Sequence, residues 1–175
     1  ATSGSTGGPK GVELGAAALL ASARASVARI GARPDEPWLC VLPVAHVSGL
    51  QVLLRARVLG APVLHRPFDP AAVMAAAAEH RPHVSLVPTQ LRRLVDAGAD
   101  TVLPGGAAAD TGLLERARAA GARVVTTYGM SETCGGCVYD GLPLDGVEVE
   151  VDAQERVWLS GPTLCEGYRL RPNLT

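Results

Sequence analysis

The sequence predicts an α/β fold: a largely parallel sheet flanked by helices and ending in a β-hairpin. Three observations carry this expectation. Short Val- and Leu-rich runs alternate with Ala-rich stretches of helical spacing, the pattern of a parallel sheet covered by helices. Gly, Pro and Asp mark the joints between them. Two apolar runs, 147–151 and 156–159, flank Ala153-Gln154 and read as a hairpin. With 47% apolar residues, only 3% aromatics and 28 alanines among 175 residues, the core must be aliphatic.

The elements follow in order. Residues 16–30 are Ala-rich and helical. Trp38–Leu42 is a buried strand, 48–59 a helix, and Pro62–Leu64 a short strand. Asp69 and Pro70 are start signals for a helix over Ala71–Glu79. Val84–Val87 is a strand, Thr89–Ala97 a helix, and Thr101–Leu103 a strand. Thr111–Ala120 is a helix and Val124–Thr126 a strand. In such sheets ligands sit at the carboxyl ends of the strands. No internal repeat is present.

Composition excludes several function classes. Sixteen basic and 17 acidic residues leave a net charge of −1, which argues against a nucleic-acid surface. No run of 18 apolar residues occurs, so no membrane insertion is expected. There is no charged segment followed by an apolar signal region. Four Cys in a chain of this length do not make a disulfide framework, and a cytoplasmic location is expected. The first residue is Ala1 and residues 171–175 close no element, so the chain reads as a piece of a longer protein.

Of the 16 basic residues, 15 are Arg and the one Lys is Lys10. It closes Thr2-Ser3-Gly4-Ser5-Thr6-Gly7-Gly8-Pro9-Lys10, which holds four hydroxyls, three glycines and one cation. Glycines let backbone N–H groups approach an anion, hydroxyls add donors, and Lys adds a point charge. Pro9 before the lysine excludes a Walker loop. A second motif, Thr126-Thr127-Tyr128-Gly129-Met130-Ser131-Glu132-Thr133, follows the run Val124-Val125. Tyr128 offers a face to a base. Gly129 permits a turn at the strand end, Ser131 offers a hydroxyl to a phosphate, and Glu132 is a hard oxygen ligand suited to Mg²⁺.

Together these segments resemble the acyl-adenylate-forming ligases, the superfamily of acyl-CoA synthetases and peptide-synthetase adenylation domains. The resemblance covers nearly the whole chain, in family order, with Ser131 where the family usually has Thr. It implies that Thr2, Ser3, Gly4, Ser5, Thr6, Gly7, Gly8 and Lys10 contact the triphosphate of ATP. It also implies that Thr127, Tyr128, Gly129, Met130 and Ser131 hold the adenylate, and that Glu132 binds Mg²⁺. Lys10, Ser131 and Glu132 are the expected catalytic groups. Leu103-Pro104-Gly105-Gly106-Ala107-Ala108 is similar to a family strand ending beside the adenine and acyl group, which implies Gly105, Gly106 and Ala107 as pocket wall.

The string from Thr127 to Gly141, which contains Cys134-Gly135-Gly136-Cys137, resembles one branch, the 2-succinylbenzoate–CoA ligases of menaquinone biosynthesis. That implies adenylation of a small carboxylic acid by ATP, followed by thioester formation with CoA. By its residues alone, the Cys pair reads as a redox dithiol, half a zinc site, or two buried thiols in a loop beside the nucleotide. On the acyl side, the segment from Leu42 to Leu50 resembles the family segment that enters the acyl-pocket helix, which implies His46 as a gate or a carboxylate-side contact, whereas by itself a lone His also reads as a satisfied structural residue. Thr89, after Pro88, either caps the next helix or faces the pocket.

A second substrate carboxylate calls for a cation. Arg55 and Arg57 are about 200° apart on a helix, and Arg55 shares the stripe of Ser48 and Gln51. Arg55 is therefore the expected contact. Another acyl- or aryl-CoA synthetase, or a nucleotide-binding remnant without catalysis, are the competing readings. The family's ribose-binding Asp and late catalytic Lys are not in this sequence, so the chain by itself is expected to be inactive.

Overall fold

The computed structural model describes residues 10–98, 110–171 and 173. In order, the elements are β1 (Val12–Glu13), α1 (Ala16–Ile30), β2 (Trp38–Cys40), α2 (Val47–Leu59), β3 (Val63–His65), α3 (Pro70–His80), β4 (His83–Val84) and α4 (Pro88–Asp96). Then come α5 (Thr111–Ala119), β5 (Thr127–Met130), a 3₁₀ turn (Ser131–Thr133), β6 (Gly135–Tyr139), β7 (Leu142–Pro143), β8 (Glu148–Val151), β9 (Val157–Ser160) and β10 (Gly167–Tyr168). The expected strand Thr101–Leu103 lies outside the described residues.

The helices form where local chemistry asks for them. The Asp69 carboxylate accepts from Ala72 N at 2.8 Å with Pro70 opening α3, and Asp110 does the same for Leu113 N at 2.9 Å in α5. α1 and α2 stop at Gly31 and Gly60, both in the left-handed region that a Cβ disfavours.

β2 is the centre of a three-stranded parallel sheet of order β3-β2-β4, in register Trp38↔Val63 and Trp38↔His83. Successive side chains of a strand point to opposite faces, and β2 uses both. Leu39 and the following Val41 join one apolar cluster with Val73 and Ala76 of α3, Leu91 and Leu94 of α4, and Leu113 and Ala117 of α5. Trp38 and Cys40 join the other, with Val27 and Ile30 of α1, Val52 and Ala56 of α2, and Cys137 and Tyr139 of β6. α2 and α3 thus cover opposite faces, as the two crossovers, β2 to β3 and then β3 back past β2 to β4, require by running in opposite directions. The strand order reverses at β2, and the crevice beyond the carboxyl ends of β2 and β4 is where such folds bind ligands.

The remaining described strands pair antiparallel: β5-β6-β7, β8-β9 and β1-β10. The expected hairpin forms, with Val151 opposite Val157. Its turn is held by Asp152, whose carboxylate accepts from the amides of Gln154 and Arg156 and from the Trp158 indole. Among the described residues no helix is long and apolar enough to cross a membrane.

Three expectations need correction. Val124–Thr126 is not a strand; the second motif itself is. Thr126 N donates to the Asp140 carboxylate at 2.7 Å, outside any ladder, and pairing with β6 begins at Thr127. Cys137 lies inside β6 rather than in a loop. Val84–Val87 is strand only to Val84, after which Ser85, Leu86 and Val87 run on as cavity wall.

Candidate active site

A cavity of about 380 Å³ opens at the carboxyl ends of β2 and β4. Leu42, His46, Val47 and Ser48 form one side, Ser85, Leu86 and Val87 another, and Thr127, Tyr128, Gly129, Met130 and Ser131 a third. Segments from three parts of the chain therefore meet there, and the second motif is one wall. His46 is the N-cap residue of α2, so that helix presents its first turn to the cavity. A helix N-terminus carries partial positive charge and free N–H groups, which favour an anion. Gly49 allows the approach: a Cβ there would collide with the backbone of Leu42 and Pro43.

The floor is charged. Arg55, one face-repeat along α2 from Ser48, is buried at 9% exposure, while Arg57 is exposed. The Arg55 guanidinium donates to Ser85 Oγ at 3.2 Å and to Tyr139 Oη at 3.3 Å, and lies 5.7 Å from the centre of the Trp38 ring. Its Nε is buried without a partner, and among the described residues it pairs with no carboxylate. Tyr139 Oη also shares a hydrogen bond of 2.7 Å with Ser26 Oγ of α1. An unneutralised guanidinium facing a cavity suits an anionic ligand.

The second motif is locked from behind. Gly129 sits inside β5 and is needed for space, not for the expected turn. A Cβ there would overlap Gly135 O and come within 2.6 Å of Gly136 Cα. Thr133, buried, accepts from Met130 N at 2.9 Å and donates to Gly135 O at 2.7 Å. Cys134 then turns through the left-handed region, φ 55°. Its carbonyl accepts from Ser22 Oγ at 3.2 Å and from Gln51 Nε2 at 2.8 Å. Burial raises the Cys134 thiol to about 11, so it is no ready nucleophile or ligand.

Lys10 and Glu132 meet outside the cavity wall, through Tyr168. The Tyr168 hydroxyl donates to Glu132 Oε1 at 2.8 Å, and Lys10 Nζ stands 5.0 Å from the centre of its ring. The hydrogen bond to Glu132 and burial push the phenol up to about 12. Glu132 has no ion-pair partner among the described residues, and no cluster of three metal-ligating side chains exists among them. A single hard carboxylate fits Mg²⁺, which fills its octahedron with substrate phosphates and water and needs no cage of protein ligands.

Of the expected site residues, His46, Arg55, Thr127, Tyr128, Gly129, Met130 and Ser131 share the cavity. Thr89 does not: α4 begins at Pro88, Gln90 Oε1 accepts from Val87 N at 3.1 Å, and Thr89 is exposed away from the lining. Thr2, Ser3, Gly4, Ser5, Thr6, Gly7, Gly8, Gly105, Gly106 and Ala107 lie outside the described residues. The sequence reading missed Ser26, Trp38, Ser85, Tyr139 and Tyr168. A signal existed for Ser26, since Ser22 and Ser26 stand i,i+4 on an otherwise apolar helix face.

The family model for AMP-binding enzyme matches residues 2–168. The chain is 46% identical over 184 residues to a protein named probable 2-succinylbenzoate–CoA ligase from Mycobacterium tuberculosis, covering 96% of this chain and 47% of that protein. It is 38% identical to the 2-succinylbenzoate–CoA ligase of Escherichia coli K12, covering 95% of this chain and 39% of that one. The chain thus spans less than half the length of these relatives. Its fold matches that of the O-succinylbenzoate coenzyme A synthetase of Bacillus subtilis, solved in complex with ATP and magnesium ion. The TM-score is 0.87 at 28% identity, covering 98% of this chain and 42% of that one. With residues 2–168 matched by that family model, and the second motif forming one wall of the cavity, the chain belongs to the AMP-binding enzyme family.

Proposed function

We propose that this chain is the nucleotide- and acyl-binding part of a cytoplasmic 2-succinylbenzoate–CoA ligase. The observation that carries the reading is Arg55: a buried guanidinium in the cavity, with no carboxylate among its described neighbours. A dianionic acid has one carboxylate to react and a second to place, and burying that second charge needs a cation. The names of the relatives support the same substrate.

In the first step a carboxylate oxygen of the acid attacks the α-phosphorus of ATP. The bond to the bridging oxygen breaks, and pyrophosphate leaves. In the second, the CoA thiolate attacks the acyl carbon, the bond to the adenylate oxygen breaks, and AMP leaves. Neither step removes a proton from the acid, so His46 acts as a gate or carboxylate contact. Tyr128 stacks on the adenine, and Ser131 donates to the α-phosphate. Lys10, with Thr2, Ser3, Gly4, Ser5, Thr6, Gly7 and Gly8, binds the β- and γ-phosphates, and the lysine offsets charge on the departing pyrophosphate. Gly105, Gly106 and Ala107 border the adenine and acyl group. Glu132 would hold Mg²⁺, which when bound would supply Lewis-acid charge at the phosphates.

The test is pyrophosphate release by the full-length protein with ATP, CoA and a panel of acids. 2-Succinylbenzoate should exceed benzoate and octanoate at least tenfold in kcat/KM. Equal turnover of a monoacid would make it a different acyl-CoA synthetase. ATP binding without pyrophosphate from any acid would make it a nucleotide-binding remnant.

A further inference from the structure

Among the described residues the Glu132 carboxylate accepts one hydrogen bond, and it comes from a residue 36 positions away, Tyr168. We infer that Tyr168 is a positioning residue: its hydroxyl orients the Glu132 carboxylate for the metal while its ring seats the Lys10 ammonium. The inference rests on the proposed magnesium role of Glu132.

Three features support it. First, Tyr168 is held by backbone on both sides of the site. β10 pairs with β1 in register Val12↔Tyr168, and Arg169 N donates to Gly11 O at 2.8 Å, directly after Lys10. Cys165 N donates to Glu132 O at 2.7 Å. The segment 165–169 therefore ties the residues that follow the glycine-rich segment in sequence, Gly11 and Val12, to the backbone of the second motif. Second, the hydroxyl takes Oε1 and leaves Oε2 without a hydrogen-bond partner among the described residues, so one carboxylate oxygen is anchored and the other is available. A metal-bound carboxylate is ordinarily oriented by such an outer hydrogen bond. Third, an ammonium over an aromatic face is attracted without forming an ion pair. Lys10 is thus steered while no carboxylate among the described residues neutralises its charge, which suits an incoming phosphate.

The experiment uses the full-length protein and its Y168F, Y168L and E132Q variants. Mn²⁺ affinity is measured by electron paramagnetic resonance in the presence of a non-hydrolysable ATP analogue, and pyrophosphate release is followed against Mg²⁺. Y168F keeps the ring and loses the hydroxyl. It should weaken Mn²⁺ binding about tenfold, at the lower end of the range for outer-shell partners. Excess Mg²⁺ should restore its rate, and its affinity for metal-free ATP should match wild type. Y168L, without the ring, should in addition weaken metal-free ATP binding severalfold. In the E132Q background, adding Y168F should change Mn²⁺ affinity less than twofold, a coupling that a general loss of stability would not give. If E132Q itself binds Mn²⁺ like wild type, the magnesium reading of Glu132 fails. If E132Q is impaired and Y168F binds Mn²⁺ within twofold of wild type, or the two effects simply add, the role of Tyr168 fails alone.

Discussion

Replacing Arg55 by Met should cost acid affinity without costing stability. The guanidinium makes two hydrogen bonds, of 3.2 and 3.3 Å, and one ring contact at 5.7 Å. At those lengths the hydrogen bonds contribute about 1 kcal/mol each, and the ring contact about 1 kcal/mol. Against this about 3 kcal/mol stands the effective cost of burying an ion, several kcal/mol. With no carboxylate among the described neighbours to offset it, the free cavity is at or below break-even. Met keeps the apolar stem and removes the charge. Tyr139 Oη retains Ser26, and Ser85 is only half-buried, so neither hydroxyl is stranded. Arg55→Met should therefore melt at or above the wild-type temperature, by up to about 1–3 °C for a gain of about 1–2 kcal/mol in a full-length protein about twice as long as this chain.

Binding of the second carboxylate should lose a charge-assisted hydrogen bond of about 1.5–3 kcal/mol, about 10- to 150-fold in KM for the acid. KM for ATP should hold. Arg57→Met, at an exposed position of the same helix, should change neither. Thermal unfolding by circular dichroism and steady-state kinetics of the full-length protein give both numbers. A melting temperature lowered by more than about 2 °C, with KM unchanged, would make Arg55 a structural cation and refute the reasoning.

Gly129→Ala should destabilise by about 1–3 kcal/mol, since its Cβ meets the backbone of β6, and the loss is read from chemical denaturation. The Asp152 carboxylate is held below its ordinary value of 3.8 by the Trp158 indole and then by the Arg156 amide. A lowered native value means stability that is present above 3.8 and lost as pH falls toward the native value. Trp158 fluorescence should accordingly change in that acid range, and the change should be absent in Asp152→Asn. Cys40, Cys134 and Cys137 are buried and Cys165 is partly exposed, with burial raising all four thiols. Alkylation of the native chain at neutral pH, mapped by mass spectrometry, should be slow and should reach Cys165 first.

The sequence by itself determined what depends on neighbours a few residues apart. Periodicity marked α1 at 16–30, Asp69-Pro70 marked α3, and the runs flanking Ala153-Gln154 marked the hairpin, because caps and turns are satisfied locally. Helical geometry was enough to separate Arg55 from Arg57, since two residues on one helix keep their angle in any packing. Tertiary structure decided what depends on pairing across the chain. Gly129 looked like a turn residue until β6 lay against it, and the Cys pair looked like a loop until Cys137 entered that strand. Thr89 carried a capping side chain, but the backbone at Val87 was already served by Gln90. Tyr168 had no local reason to be noticed. Its hydroxyl finds Glu132 only because β10 pairs with β1 beside Lys10. Strand register and side-chain partners at long separation are set by which surfaces fit and bury together, and no short window of sequence contains both halves of that fit.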